Sequence, residues 1–314
     1  MLILISLFIL IALILYIDPK ALANEIIKIN ITTFCIVFII ANISIILRAI
    51  KWQVLLKNSK FFEILPIQLL SITISNLTPG KIGEPIKSGL LKMRKGLAIS
   101  STLPSVVIER ILDLIILIFL SILGLIISFN VFYSKLLIIS IVAFIVIILL
   151  LLLGLFNKAF GLKILNILKK IKYLKTLDVG FVENFYSANK VEKRRVLLSL
   201  LITLLAWILD GLIFYFLASS LSSEITKNIG PIIFCSILSI SILASLVTFL
   251  PGGIGGTEAI MTYLLISLGF EKSAAGTITL LGRFATLGYS MILGYLSFLY
   301  LSRRIDLKIT NLLK

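Results

Sequence analysis

Leu250-Pro251-Gly252-Gly253-Ile254-Gly255-Gly256-Thr257-Glu258 interrupts an apolar stretch that runs from 231 to 268. A second interruption, Asn76-Leu77-Thr78-Pro79-Gly80-Lys81-Ile82-Gly83-Glu84-Pro85, cuts the apolar stretch 62–91 in the same way. Proline removes a backbone donor and glycine leaves helical geometry at little steric cost, so each stretch reads as two helical arms around a break. Around them lie six continuous apolar runs, about 1–17, 31–47, 102–127, 136–156, 196–219 and 275–300. Crossing ~30 Å of hydrocarbon as helix takes about 20 residues, which the longer runs supply. The runs do not alternate, which excludes a β-barrel, and a chain of mean hydropathy +1.17 is no soluble enzyme.

Each broken stretch either crosses the membrane or enters and turns back, and charge decides between the two. Residues 48–60 and 87–101, which flank the first, hold four Lys/Arg each, whereas 220–230 and 269–274, which flank the second, hold one each. Under the positive-inside rule each stretch starts and ends on one side, the first inside and the second outside. The expected fold class is therefore an all-α polytopic membrane protein with about six full spans and two re-entrant broken-helix hairpins. Both termini are expected in the cytoplasm of a cell-membrane protein. Segments assigned to the cytoplasm then hold 22 Lys/Arg and external ones five, while Lys81, Arg110 and Arg283 fall at membrane depth. The net charge of +16, which would otherwise suggest a nucleic-acid partner, is thus mainly an orientation signal, and no nucleic acid is expected. Met1–Ile17 lacks a basic n-region and a cleavage site, and reads as a first helix. The long basic loop 157–195 places Leu162, Leu165, Leu168, Ile171 and Leu174 near helical spacing among lysines. It suits either an amphipathic helix on an anionic leaflet or a solvated connector.

The two breaks share Pro-Gly-x-Ile-Gly, at Pro79–Gly83 and Pro251–Gly255, each followed by a glutamate, Glu84 and Glu258. Arg110 follows Pro79 by 31 residues and Arg283 follows Pro251 by 32. A single membrane domain, 1–314, is expected, built from a first unit 1–128 and a second unit 129–300 of opposite orientation, with a cytoplasmic tail 301–314. Inverted repeats with broken helices are characteristic of transporters.

Eight ionisable side chains lie at or near membrane depth: Lys81, Glu84, Glu109, Arg110, Asp113, Asp210, Glu258 and Arg283. Facing lipid, each would cost roughly 2.5–3.5 kcal/mol at a helix centre, so they pair, neutralise or line a wet cavity. Glu109 and Asp113 share a helix face, and Arg110 is three residues from Asp113. That group reads as a buried ion-pair cluster, as a cavity wall that binds phosphate through Arg110, or as both. Lys81, with amides released at Gly80 and Gly83, suits an anion. At the second break, with Gly252, Gly253 and Gly255, an anion site would rest on backbone and Arg283. Asp210 could partner Arg283 or carry a proton. Counting Glu63 at the hairpin entrance, this membrane-depth set is left slightly negative. The absence of histidine from the chain removes His-based catalysis, and no metal or cofactor is expected. Cys35 and Cys235, isolated in apolar runs, read as packing residues.

Asn76–Glu84, Val107-Ile108-Glu109-Arg110-Ile111-Leu112-Asp113 and Leu250–Glu258 together resemble the flippase-like membrane domain of lysylphosphatidylglycerol synthases, along nearly the whole chain. The resemblance implies a polytopic membrane fold and, in the synthases, movement of aminoacylated phospholipid between leaflets. It also places relatives beside glycosyltransferases of prenyl-lipid pathways. The chain stops at Lys314 without a soluble aminoacyl-transferase domain, so the tRNA-dependent lysylating activity is not expected to carry over. Three functions remain open: a translocase for an anionic phospholipid or prenyl phosphate, a non-transporting membrane partner of a lipid-modifying enzyme or glycosyltransferase, and an intramembrane lipid-phosphate enzyme with a Glu or Asp base.

Overall fold

The computed structural model describes residues 2–56, 59–81, 83–128, 135–160, 162–163, 179–188 and 192–304. Among them there is no strand. In chain order the helices are α1 (Leu2–Ile17), α2 (Pro19–Lys28), α3 (Ile31–Leu55), α4 (Phe61–Leu77), α5 (Ile86–Lys95), α6 (Ile99–Ile127), α7 (Lys135–Phe156) and α8 (Val179–Ala188). They continue as α9 (Lys193–Leu221), α10 (Ser223–Ile229), α11 (Pro231–Leu246), α12 (Gly256–Ser267), α13 (Lys272–Arg283) and α14 (Tyr289–Ser302). Short 3-10 turns at Pro79–Lys81 and Pro251–Gly253 form the tips of the two broken stretches, and a π-helical turn, Phe284–Gly288, joins α13 to α14.

The all-α polytopic fold follows from these lengths. By length and composition α3, α6, α9 and the continuous Lys272–Ser302 can each cross a membrane. Two bent pairs, α1–α2 at 78° and α10–α11 at 86°, would bring the number to six if each were one span; in the second, the bend precedes the first arm of the second broken stretch. Large apolar side chains on the outer faces, such as Phe8, Ile27, Phe62 and Leu149, are exposed, as lipid-facing residues are.

Several boundaries differ from the sequence expectation. The run 31–47 continues as α3 to Leu55, and 18–30, expected as a connector, contains α2. Asp18 caps α2 by accepting from the Lys20 amide at 3.0 Å, and Pro19 occupies the first turn, where its missing N–H costs nothing. The last span is interrupted after Arg283 by the π-turn, a feature that often marks functional positions in helices. Residues 164–178, which hold most of the expected amphipathic pattern, and most of the tail lie outside the described residues.

At the centre α3 and α9 pack along their length. Ser44 meets Ala206 and Asp210, Ser199 donates to the Lys51 carbonyl, and Arg195 donates to the Val54 carbonyl. Residue numbers rise along one helix as they fall along the other, so the pair is antiparallel. The Leu55 end of α3, which leads into α4, therefore lies at the Arg195 end of α9. The far end of α9 leads through α10 into α11. The two hairpins thus enter from opposite ends of this pair, and their tips touch in the interior. The first arm of the first hairpin, α4, packs on α14, and that of the second, α11, packs on α6. α1 covers the second tip, with the Ser6 carbonyl and Ile9 against Gly255.

Candidate functional site: a charge-lined cavity between two broken helices

Both tips turn on a glycine held in the left-handed region directly after proline, Gly80 at φ 58° and Gly252 at φ 61°. A side chain there would be strained, which explains the shared Pro-Gly. The turns are then completed differently. At the first tip, the Thr78 hydroxyl donates to the Ser75 carbonyl at 2.9 Å and accepts from the Gly83 amide at 2.9 Å. At the second, Gly253 and Gly255 also take positive φ, and the Glu258 carboxylate accepts from the Gly255 amide at 2.6 Å, capping α12.

The equal arginine spacing acquires a geometric meaning here. The glutamate after each tip pairs with an arginine on the helix beyond that hairpin: Glu84 with Arg110 on α6, and Glu258 with Arg283 on α13 at 2.7 Å. Arg283 also donates to the Gly252 carbonyl at 2.9 Å, so it clamps its own tip.

Between α3, α4, α6, α9, α11 and the π-turn lies a cavity of ≈ 800 Å³, its open mouth included. Asn76, Glu84, Arg110, Asp113, Asp210 and Arg283 line it, joined by Arg48 from α3 and the Trp207 ring from α9. Asp210 does not pair with Arg283. It binds Arg48 at 2.5 Å and accepts from Ser44 at 2.5 Å, while Arg48 lies over the Trp207 ring at 4.6 Å. The Trp207 indole donates to Asp113 at 3.2 Å, tying the two carboxylates' surroundings together.

Glu109 lies behind the cavity wall in a buried network. Lys51 bridges Glu109 at 3.2 Å and Asp113 at 2.9 Å, as their shared helix face allows. Lys87 from α5 pairs with Glu109, reaches the Gln68 amide oxygen at 3.4 Å and stands over the Trp52 ring at 4.7 Å. Arg110 approaches Asp113 only at 3.8 Å. Arg48, Lys51 and Lys87 are not among the sequence candidates. Charge counting assigns them to the flanks of the first hairpin, yet Lys51 and Lys87 are each 1% exposed. Among the described residues the cavity and the network behind it therefore hold five cations, Arg48, Lys51, Lys87, Arg110 and Arg283, against five carboxylates, Glu84, Glu109, Asp113, Asp210 and Glu258. The three cations that charge counting placed outside the membrane region offset the expected negative remainder. The Lys81 side chain lies outside the described residues. No group of three or more potential metal ligands occurs among the described residues.

Fold and cavity together define a multi-pass α-helical membrane protein whose interior is polar and charge-balanced where two broken helices meet. The chain belongs to the family described as the lysylphosphatidylglycerol synthase TM region, which it matches over residues 3–294. A UPF0104 membrane protein of Methanocaldococcus jannaschii is 25% identical over 98% of this chain and 96% of its own length. A second from the same organism is 30% identical over 74% of this chain and 95% of its own. One from Pyrococcus horikoshii is 27% identical over 80% and 82%.

Proposed function

We propose that this protein is a lipid translocase that moves a phosphate-bearing or anionic membrane lipid between leaflets, its head group passing through the cavity beside the two tips. The observation that carries the reading is the set of arginine–carboxylate pairs lining one cavity, Arg48–Asp210, Arg110–Glu84 and, reached through Arg283, Arg283–Glu258. Each arginine is planar and suited to a phosphate oxyanion, and Arg48 and Arg110 each hold a carboxylate that an incoming oxyanion can replace. The cavity without cargo is thereby neutral, and in the loaded one the displaced carboxylate turns to the water of the open mouth or takes up a proton.

Alternate opening would come from two units, 1–128 and 129–300, of opposite orientation. The antiparallel α3–α9 pair, the entry of the hairpins from opposite ends and the matching Glu–Arg pairs all favour that division. In this arrangement the basic loop 157–195, the tail 301–314 and the N-terminus lie in the cytoplasm, and the host is the cell membrane. The family description, with its phospholipid-linked name, fits a lipid cargo and names none for this chain.

The test is reconstitution of the purified protein in liposomes carrying head-group-labelled phosphatidylglycerol, a labelled prenyl phosphate, or labelled diacylglycerol. Accelerated loss of outer-leaflet asymmetry is expected for the phosphate-bearing probes over diacylglycerol. Arg110→Gln is expected to lower that rate at least tenfold. Rates equal to those of protein-free liposomes for every probe, from protein that remains folded, would exclude the translocase reading.

A further inference from the structure

The two Glu–Arg pairs occupy equivalent places but are not in equivalent states. At the second tip every link is made. Glu258 accepts from Arg283 and from the Gly255 amide, Arg283 holds the Gly252 carbonyl, and the two side chains are 5% and 10% exposed. α1 packs against this tip at Gly255. At the first tip Glu84 contacts Arg110 through one oxygen, and its second oxygen has no hydrogen-bond partner among the described residues. The Arg110 Nε is likewise without one. The tip turn is completed by Thr78 and makes no use of the Glu84 side chain. The Arg110 side chain, on the cavity wall, is 31% exposed.

A guanidinium presents paired N–H donors that match two oxygens of a carboxylate or of a phosphate. Arg283 has committed donors to the tip it clamps, whereas Arg110 keeps a buried Nε–H without a partner and a guanidinium that is partly open to the cavity. Glu84 can leave Arg110 without undoing the first tip, because Thr78 keeps that turn closed. Glu258 cannot leave without freeing the amide that starts α12.

We propose that Arg110 is the ligand-exchanging cation of this cavity, that Glu84 is its built-in competitor, and that the ligand group taken up there is a tetrahedral oxyanion of the phosphate class. The Glu258–Arg283 pair is the closed counterpart and holds its tip shut in this state. This inference rests on the translocase reading only for its source of phosphate, and a binding measurement separates the two.

The experiment measures binding of dioctanoyl phosphatidic acid and, separately, of inorganic phosphate to the detergent-purified full chain, with dioctanoylglycerol as the uncharged reference. Glu84→Gln, which removes the competing charge and keeps the side-chain volume, is expected to tighten phosphatidic acid binding at least threefold, and by more than Glu258→Gln does. Arg110→Gln is expected to weaken it at least tenfold. Glu258→Gln is expected to lower the thermal midpoint more than Glu84→Gln does. A shift for phosphatidic acid alone identifies a lipid as the phosphate source, and a shift for both probes identifies a site that accepts free phosphate; either supports the assignment. Equal gains from Glu84→Gln and Glu258→Gln, no gain from Glu84→Gln, or undiminished binding in Arg110→Gln would overturn it. Should Glu84→Gln not fold, Glu84→Asp, which withdraws the carboxylate by one methylene, is expected to give the same order, and failure of that order is equally decisive. Transport without this ordering removes the present inference alone, and this ordering without transport removes the translocase reading alone.

Discussion

Glu109→Gln should destabilise the protein by about 3–5 kcal/mol, the range for removing one member of a buried ion pair. The carboxylate serves two lysines that are each 1% exposed. Without it Lys51 keeps Asp113 at 2.9 Å, but Lys87 loses its counter-charge and keeps only neutral partners: the introduced amide oxygen, the Gln68 oxygen at 3.4 Å and the Trp52 ring at 4.7 Å. A ring face returns roughly 0.5–2 kcal/mol to a cation, which does not offset a buried charge left unpaired. Removing the orphaned cation as well, in Glu109→Gln with Lys87→Met, should recover more than half of the loss, since a neutral pair of similar volume often replaces a buried ion pair at little net cost. Cys235, which is buried, offers the readout: its reaction with a thiol-reactive dye reports thermal unfolding against the background of the exposed Cys35. An unchanged midpoint for the single variant would mean that Lys87 does not rely on Glu109.

The second large effect is expected at the contact of α9 with α11. A methyl group on Gly211 would come within 2.7 Å of the Cys235 Cα, a backbone atom that cannot rotate away. Gly211→Ala therefore has to push the two helices apart, and overpacking of this kind costs about 1–3 kcal/mol. The displacement would not stay local. Asp210 precedes Gly211 and Trp207 lies one turn earlier, so the substitution should also loosen Arg48 and lower lipid binding or transport. Gly256→Ala, whose methyl would meet nothing nearer than 3.4 Å, is the control and should change stability by less than ~0.5 kcal/mol. If both variants unfold at the parental temperature, α9 and α11 do not approach each other this closely.

Much of this architecture is legible in the sequence because breaks and caps are written locally. Pro-Gly marks both tips, and Glu and Arg recur at matched intervals, although that these two pair with each other, and what partners Asp210, stay open at that level. Arg48, Lys51 and Lys87 are misplaced by hydropathy for a physical reason. Hydropathy windows end where charge begins, whereas a helix ends where its hydrogen bonds do, and no proline or glycine stops α3 after residue 47. A pointer is present in the stripe Ala41, Ser44, Arg48, Lys51, Leu55, spaced three and four apart, which puts both cations on the buried face. Lys87 gives no such signal, since its partner Glu109 is 22 residues away and α5 is short. α2 escapes a reading by charge alone, although Asp18-Pro19 is a helix start.

The pairing of five interior cations with five carboxylates has an electrical consequence. Carrying one unit of charge across a potential of 100 mV involves about 2.3 kcal/mol of work. Among the described residues, a rearrangement that carries each pair as a unit moves no net charge, whereas an arginine and carboxylate that separate, as Arg110 and Glu84 do when Glu84 is displaced, feel the voltage across the bilayer. Over a full cycle these groups return to their places, so the net charge carried per turnover is that of the cargo and of any ion moved with it.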